Sequence, residues 1–433
     1  MNNPKDGVGT SQSESDPKLG RKKPRRPRKR GGKRQFAENA VGRDPVTNPS
    51  GDKNRFGATG PTMGQTGSDS NIARNKPRHA EVRDNSYYAA LDLGTNNCRL
   101  LVATPQARGK FRVVDGFSRI VRLGEGLIQT GALSEPAMDR AVEALKICAS
   151  KLRNRPIRRQ RLIATEACRQ ASNGEAFLNR VQRETGMVLE IVSRETEAHL
   201  AASGCGALLD RQSDGAVLFD IGGGSSELIL VNRSDPSIRK IRDQIVAWTS
   251  LPLGVVTLAE RFGGRDISRQ LFDEMVDDVS ARIDQFDGKS RLDEIMVAGN
   301  VHLLGTSGTV TTLAGIHLRL AKYDRRKVDG LWLSSDEIDS IIDELLDMEY
   351  EERAANPCIG SERADLVLAG CAILNAIRKN WPSDRLRVAD RGLREGLLTE
   401  MMYKDGAWSK KRKQRWSKKR RKRRASSAQG TQG

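Results

Sequence analysis

Aromatic and metal-ligating residues are scarce in this chain. Phe, Trp and Tyr make up 4% of its 433 residues, with only four histidines and six cysteines. The cysteines, at 98, 148, 168, 205, 358 and 371, form no CxxC pair. That excludes a zinc ribbon and the disulfide framework of a small secreted domain, and leaves buried, reduced thiols as the expectation. His79, His199, His302 and His317 show no metal-ligand spacing and are read as structural. No apolar run approaches the ~18 residues of a membrane span. The N-terminus lacks the apolar core of a secretory signal, so the expected location is cytoplasmic.

Acidic residues are missing from one end altogether. Residues 406–433 carry twelve basic side chains and no acidic one, and residues 1–84 carry nineteen against nine. The net charge of +19 therefore divides into +10 and +12 on the ends and −3 on residues 85–405. Residues 1–84, poor in apolar side chains, cannot bury enough surface to offset their ordering entropy, and are expected to be a disordered basic tail. The runs RKKPRRPRKRGGKR (21–34) and KKRKQRWSKKRRKRR (410–424) sit in these ends, the second with Trp416 inside it. Cations interleaved with aromatics suit nonspecific contact with a polyanion or nucleic acid, or an anionic membrane surface.

Between the tails the pattern is mixed α/β, from two lobes of a duplicated domain facing a shared cleft: domain I over 85–212 and domain II over 213–405, with the last helices of domain II expected to pack back on domain I. In the first, YYAALDLG and CRLLVAT read as a strand hairpin, FRVVDGFSRIV as a third strand, and RLIAT (161–165) and LEIVS (189–193) as short strands. Helices are expected from Ser134 to Leu152, over 175–185 and over 195–209. In the second, AVLFD and ELILV repeat the hairpin and a strand follows near 239–247. Helices follow Gly254 and Ser268, HLLGTSGTVTTLAGI gives strand, turn and helix, RLRVA (385–389) is a strand, and helices fit 335–347, 361–379 and 392–403.

One grammar occurs twice: LDLGTNNCRLL at 91–101 and FDIGGGSSELI at 219–229, with Asp92 and Asp220 128 residues apart. Each reads strand, acid at the strand end, glycine turn, strand. Glycine triplets are poor strand material and are tolerated where a backbone turns sharply or approaches a ligand. The turns offer unobstructed N–H groups to phosphate oxygens, from Gly94, Thr95 and Asn96 and from Gly222, Gly223, Gly224 and Ser225. Beside them an Asp can hold Mg²⁺ through water. GTSGT, with Gly305, Ser307 and Gly308, adds a small-residue turn at a helix N-terminus, a further anion site.

Taken with ATEACRQASN, VSRETEAHLA, LPLGVVTLAERF, RADLVLAG and VADRGLREGLL, these stretches resemble the exopolyphosphatase/guanosine pentaphosphate phosphatase family of the actin-like (ribonuclease H-like) superfamily. The resemblance spans about residues 87–403. It implies that Glu197 activates the attacking water, and that Asp92 and Asp220 organise Mg²⁺ or another divalent cation, with Glu227 close by. It also implies that Arg169 and Arg99 contact substrate phosphate. A homodimer is expected. The implied activity is release of terminal phosphate from inorganic polyphosphate; the alternative is removal of the 5′-terminal phosphate from guanosine pentaphosphate, pppGpp. Thr196 stands where many relatives have a second acid. Arg391 stands where a glycine is usual, and is expected to pair with Asp390. The chain has no His-Asp dipeptide of the kind found in the helical extension of longer relatives, so it reads as a short, two-domain form. Two other classes share these features: an ATP-dependent kinase on the same scaffold, and a polyanion-binding protein acting through its tails.

Overall fold

The computed structural model describes residues 86–107, 109–238 and 240–408. The expectations for the disordered N-terminal tail, the two basic runs and His79 lie outside the described residues.

Two sheets carry the fold. The first has the order β3-β2-β1-β4-β5, from β1 (Tyr87–Leu93), β2 (Asn97–Pro105), β3 (Phe111–Ile120), β4 (Ile157–Ala164) and β5 (Glu190–Ile191). The second has the order β10-β11-β9-β6-β7-β8, from β6 (Gly215–Ile221), β7 (Ser226–Asn232), β8 (Ile245–Leu251), β9 (Val301–Thr306), β10 (Trp332–Ser334) and β11 (Arg385–Ala389). In both, three antiparallel strands open the sheet and the first of them then pairs in parallel with a later strand. One arrangement is thus built twice.

The main helices are α1 (Glu135–Arg153), α2 (Gly174–Thr185), α3 (Arg194–Cys205), α4 (Val255–Phe262), α5 (Arg269–Ile283), α6 (Gly308–His317), α7 (Ser335–Asp347), α8 (Val367–Asn380) and α9 (Leu393–Lys404). Buried residues of β1 alternate between faces, as a strand covered on both sides requires. Ala89, Leu91 and Leu93 face α1 and α2, while Tyr88 and Ala90 face Leu397, Leu398, Met401 and Met402 of α9. Full burial of the leucines and methionines among them stabilises by ~1.5–3 kcal/mol each. Helix α3 serves both sheets: Leu200 joins the α9 cluster, and Ala198, Ala202 and Cys205 pack on Ala216, Leu218 and Ile229 of the second. The α3/α9 pair is thus a spine between the sheets. The helices touch backbone to backbone: a Cβ on Gly396 would lie 2.1 Å from the Leu200 carbonyl oxygen.

Several expected boundaries differ. The strand expected near 239–247 is β8, beginning at Ile245 after a helical turn over Ile241–Gln244, where Gln244 Nε2 donates to the Ile238 carbonyl. The helix expected from 361 starts at Val367, because Gly360 in the left-handed region (φ 76°) folds the preceding segment into turns. Strand β4 begins four residues before RLIAT, since β5 covers it only at Ile163 and Ala164 and its exposed start needs no apolar side chains. LEIVS contracts to Glu190–Ile191, and the helix expected to reach 209 ends at Cys205. All six cysteines are free and buried. Among the described residues no helix is long and apolar enough to cross a membrane.

Candidate active site

The two hairpin turns are built alike. Gly94 N–H donates to the Asn97 carbonyl and Gly222 N–H to the Ser225 carbonyl, each at 2.9 Å. The acid before each turn has a fixed cross-strand partner: Asp92 faces Arg99, and Asp220 faces Glu227 at the equivalent position. The duplication therefore puts a cation in one hairpin where the other has an acid.

The turns meet. A Cβ on Gly224 would lie 2.6 Å from Thr95 Oγ1, and one on Gly223 would lie 3.0 Å from Thr95 Cβ and 3.1 Å from the Asn96 nitrogen. Two of the three consecutive glycines are thus required by the close approach of one hairpin to the other. The space between is a cleft open to solvent. Its walls include Asp92, Gly94, Thr95, Asn96 and Arg99 from the first sheet. From the second they include Asp220, Gly222, Gly223, Gly224, Ser225 and Glu227, and Glu197 enters from α3. Ser307 and Gly308 close one end at the start of α6. Ser307 is held at φ 85°, ψ −168°, a region other residues leave largely to glycine, while its Oγ donates to the Ile221 carbonyl at 2.6 Å.

Two expected phosphate contacts lie elsewhere. Gly305 sits inside β9 and does not line the cleft; a Cβ there would meet the Phe219 ring at 2.6 Å, so the residue is a packing glycine. Arg169 is drawn back from the walls: Nη2 donates to Glu166 Oε2 at 2.6 Å and to Glu197 Oε2 at 2.9 Å, and Nη1 bonds the Val192 carbonyl. Arg391 does not pair with Asp390. It bonds Asp329, while Asp390 takes Tyr323 and Arg325. Cys205 Sγ and Thr306 Oγ1 both donate to the Arg391 carbonyl, which tethers that segment beside α3 and β9. Of the described histidines, His199 lies 3.7 Å from Glu195, His317 lies 3.6 Å from Glu337, and buried His302 accepts from the Asp210 N–H while burial lowers its pKa to about 4.

The electrostatics are those of acids crowded out of water. Burial raises Asp92, with Arg394 and Arg99 opposing, and raises Asp220 to about 6. Burial pushes Glu197 up to about 7 despite the Arg169 contact, with Asp92 and Asp220 adding to the rise. Glu227, buried and accepting from Ser225 Oγ at 2.8 Å and Ser250 Oγ at 2.9 Å, is held well above the usual carboxylate range. Among the described residues the carboxylates of Asp92 and Asp220 accept no hydrogen bond. Two carboxylates without donors, both raised by burial, fit a cation brought in from outside. Among the described residues no three His, Cys, Asp or Glu side chains converge closely enough to hold a metal by themselves. Mg²⁺ binds through one or two carboxylates and keeps water and substrate phosphate as its other ligands, so it asks for no third acid beside Asp92 and Asp220.

Two arginines escaped the sequence reading. Arg363 lines the cleft, and Arg394 acts on both Asp92 and Asp220. Both fall within stretches already singled out, RADLVLAG and VADRGLREGLL, but nothing in either stretch says which side chain turns inward.

Residues 102–405 match the model of the Ppx/GppA phosphatase family. A Photobacterium profundum protein named guanosine-5′-triphosphate,3′-diphosphate pyrophosphatase is 30% identical over 326 residues, 73% of this chain and 59% of the relative. An Aeromonas salmonicida protein of the same name is 28% identical over 318 residues, 73% of this chain and 60% of that relative. The chain thus spans about 60% of the length of these curated relatives. Among solved structures, the Aquifex aeolicus member of the Ppx/GppA family superposes with a TM-score of 0.58 at 28% identity, covering 74% of this chain and 98% of that one. An exopolyphosphatase from Cytophaga hutchinsonii superposes with a TM-score of 0.64 at 25% identity, covering 73% and 98%.

Proposed function

From its membership of the Ppx/GppA phosphatase family, we propose that this chain hydrolyses a terminal phosphoanhydride and releases orthophosphate. The observation that carries the reading is the convergence of Asp92, Asp220 and Glu197 on one cleft walled by two glycine turns. Such hydrolysis makes little covalent demand on a protein; it needs alignment and charge neutralisation.

In this reading phosphate oxygens are held by N–H groups at the start of α6 and in the two turns, but not by those of Gly94 and Gly222, which are taken up by the Asn97 and Ser225 carbonyls. Asp92 and Asp220, with Glu227 nearby, would hold a divalent cation, which neutralises charge on the phosphates when bound. Glu197 accepts a proton from the attacking water as its oxygen bonds the terminal phosphorus, and the bridging P–O bond breaks. A carboxylate with a pKa of about 7 is suited to that exchange near neutrality. Arg169 fixes the Glu197 carboxylate, and Arg99 and Arg394 offset the negative charge around the site.

For the substrate, the names of the two curated relatives weigh toward pppGpp. The exopolyphosphatase neighbour supports inorganic polyphosphate as a second reading. Phosphate release on the two substrates side by side separates these readings. Glu197→Gln is expected to lower turnover by about 10²–10⁴ while substrate binding survives. Near-normal turnover in that variant would remove the mechanism, and transfer of phosphate to an acceptor instead of water would make the chain a kinase.

A further inference from the structure

We propose that the end of the first sheet farthest from the cleft is a docking surface for single-stranded nucleic acid. Strands β1 and β4 run parallel and deliver Asp92 and Thr165 to the cleft. Their starts therefore lie together at the opposite end, with the end of β2, the start of β3 and the last turns of α1 and α9.

The side chains gathered there are strongly cationic. Lys110, Arg112, Arg153, Arg158 and Arg159 are exposed, as is Lys404 on the last turn of α9. Asp405 takes up Arg158 at 2.8 Å and Arg159 at 2.7 Å, and Glu400 lies 3.6 Å from Lys404. Among the described residues, Lys110, Arg112 and Arg153 have no ion-pair partner. Cations left unpaired on an otherwise slightly acidic body are available to phosphates.

Aromatic side chains choose between polyanions. Tyr403 is 71% exposed beside Lys404, the largest exposure of any aromatic ring among the described residues. Trp408 beside it packs against the α9 cluster and is only partly exposed, its Nε1 donating to the Lys110 carbonyl at 3.2 Å, so Tyr403 is the ring left open for stacking. Bases stack on such rings, whereas a polyphosphate chain and a lipid headgroup have no π face to offer. Both described termini, Ser86 and Trp408, lie at this same end. The sequence beyond them carries +10 and +12, with Trp416 inside the second run. Net charge and aromatic surface converge where the chain enters and leaves the body.

This surface goes beyond phosphoanhydride hydrolysis and does not rest on it, so its test reads binding alone. The full chain is titrated against a fluorescent 20-nucleotide single-stranded RNA over a range of salt concentrations. Lys110→Glu/Arg112→Glu/Arg153→Glu is expected to weaken binding at least tenfold at physiological salt. Its log–log salt slope should fall by about 2, at ~0.7 for each lost phosphate contact on a single strand. Tyr403→Ala is expected to weaken binding about tenfold with the salt slope unchanged, a stacking signature that a structural defect would not give. Because Tyr403 is a surface residue, that variant keeps the test decisive even if the triple variant misfolds. RNA binding indifferent to both variants would overturn the proposal. So would binding of a charge-matched polyphosphate or of phosphatidylserine vesicles as tightly as RNA, with Tyr403→Ala without effect.

Discussion

Glu197 and Arg169 set the chemistry of the cleft between them. Burial pushes the Glu197 carboxyl up and the Arg169 contact at 2.9 Å opposes that rise, leaving it at about 7. Arg169→Gln removes the group that lowers the pKa. The acid limb of kcat/KM is therefore expected to move to higher pH by about one pH unit. Activity should fall at neutral pH and recover above pH 9. A direct phosphate contact by Arg169 would act otherwise, raising KM about equally at every pH. A pH profile of the purified variant separates the two. Recovery at alkaline pH identifies Arg169 as a positioning residue; a flat loss returns it to the substrate.

At the scale of elements, the α3/α9 spine positions that base. Alanine is ordinarily a better helix residue than glycine by ~0.5–1 kcal/mol. At Gly396 the added methyl would meet the Leu200 carbonyl at 2.1 Å, and overpacking of this kind costs ~1–3 kcal/mol. Gly396→Ala should therefore destabilise, seen as a lower urea midpoint. It should also depress kcat, because α3 carries Glu197. An unchanged or raised midpoint would show that the helices part at no cost. This packing was invisible in the sequence, since Gly396 and Leu200 are distant in the chain and neither breaks its own helical pattern. The hairpins built around Asp92 and Asp220 were legible, because a continuous apolar run stops at an acid and a glycine turn. The start of β4 was not: Arg158, Arg159 and Gln160 lie on an uncovered edge and carry no apolar signal. The site divides in the same way. The Gly222–Gly224 turn announced itself, whereas Gly305, in the GTSGT stretch, is fixed by the Phe219 ring of a neighbouring strand. Arg391 found its acid 62 residues away at Asp329 instead of next door.

For the molecule as a whole, the cleft works only if its walls stay together, and a clasp on its rim does that. Arg122 follows β3 and holds a left-handed backbone (φ 45°), uncommon for a residue with a side chain. Its guanidinium makes two bonds of 2.9 Å to Asp365 and one of 3.0 Å to the Glu362 carbonyl, on the segment leading into α8. Beside it, Gly126 N–H donates to Glu260 Oε1 at 2.9 Å, from the first lobe to α4 of the second. The bidentate pair is half-buried, so water weakens it only in part. Arg363 and Leu366, which flank Asp365, line the cleft, so the clasp and the substrate share one wall. Arg122→Ala is expected to let the lobes part. KM should then rise about tenfold, equivalent to ~1.4 kcal/mol, with kcat less affected because the clasp touches no reacting atom. Small-angle scattering should show a larger radius of gyration for the variant, and saturating substrate should restore the wild-type value. A variant with normal KM and unchanged scattering would mean that the α3/α9 spine alone holds the cleft closed.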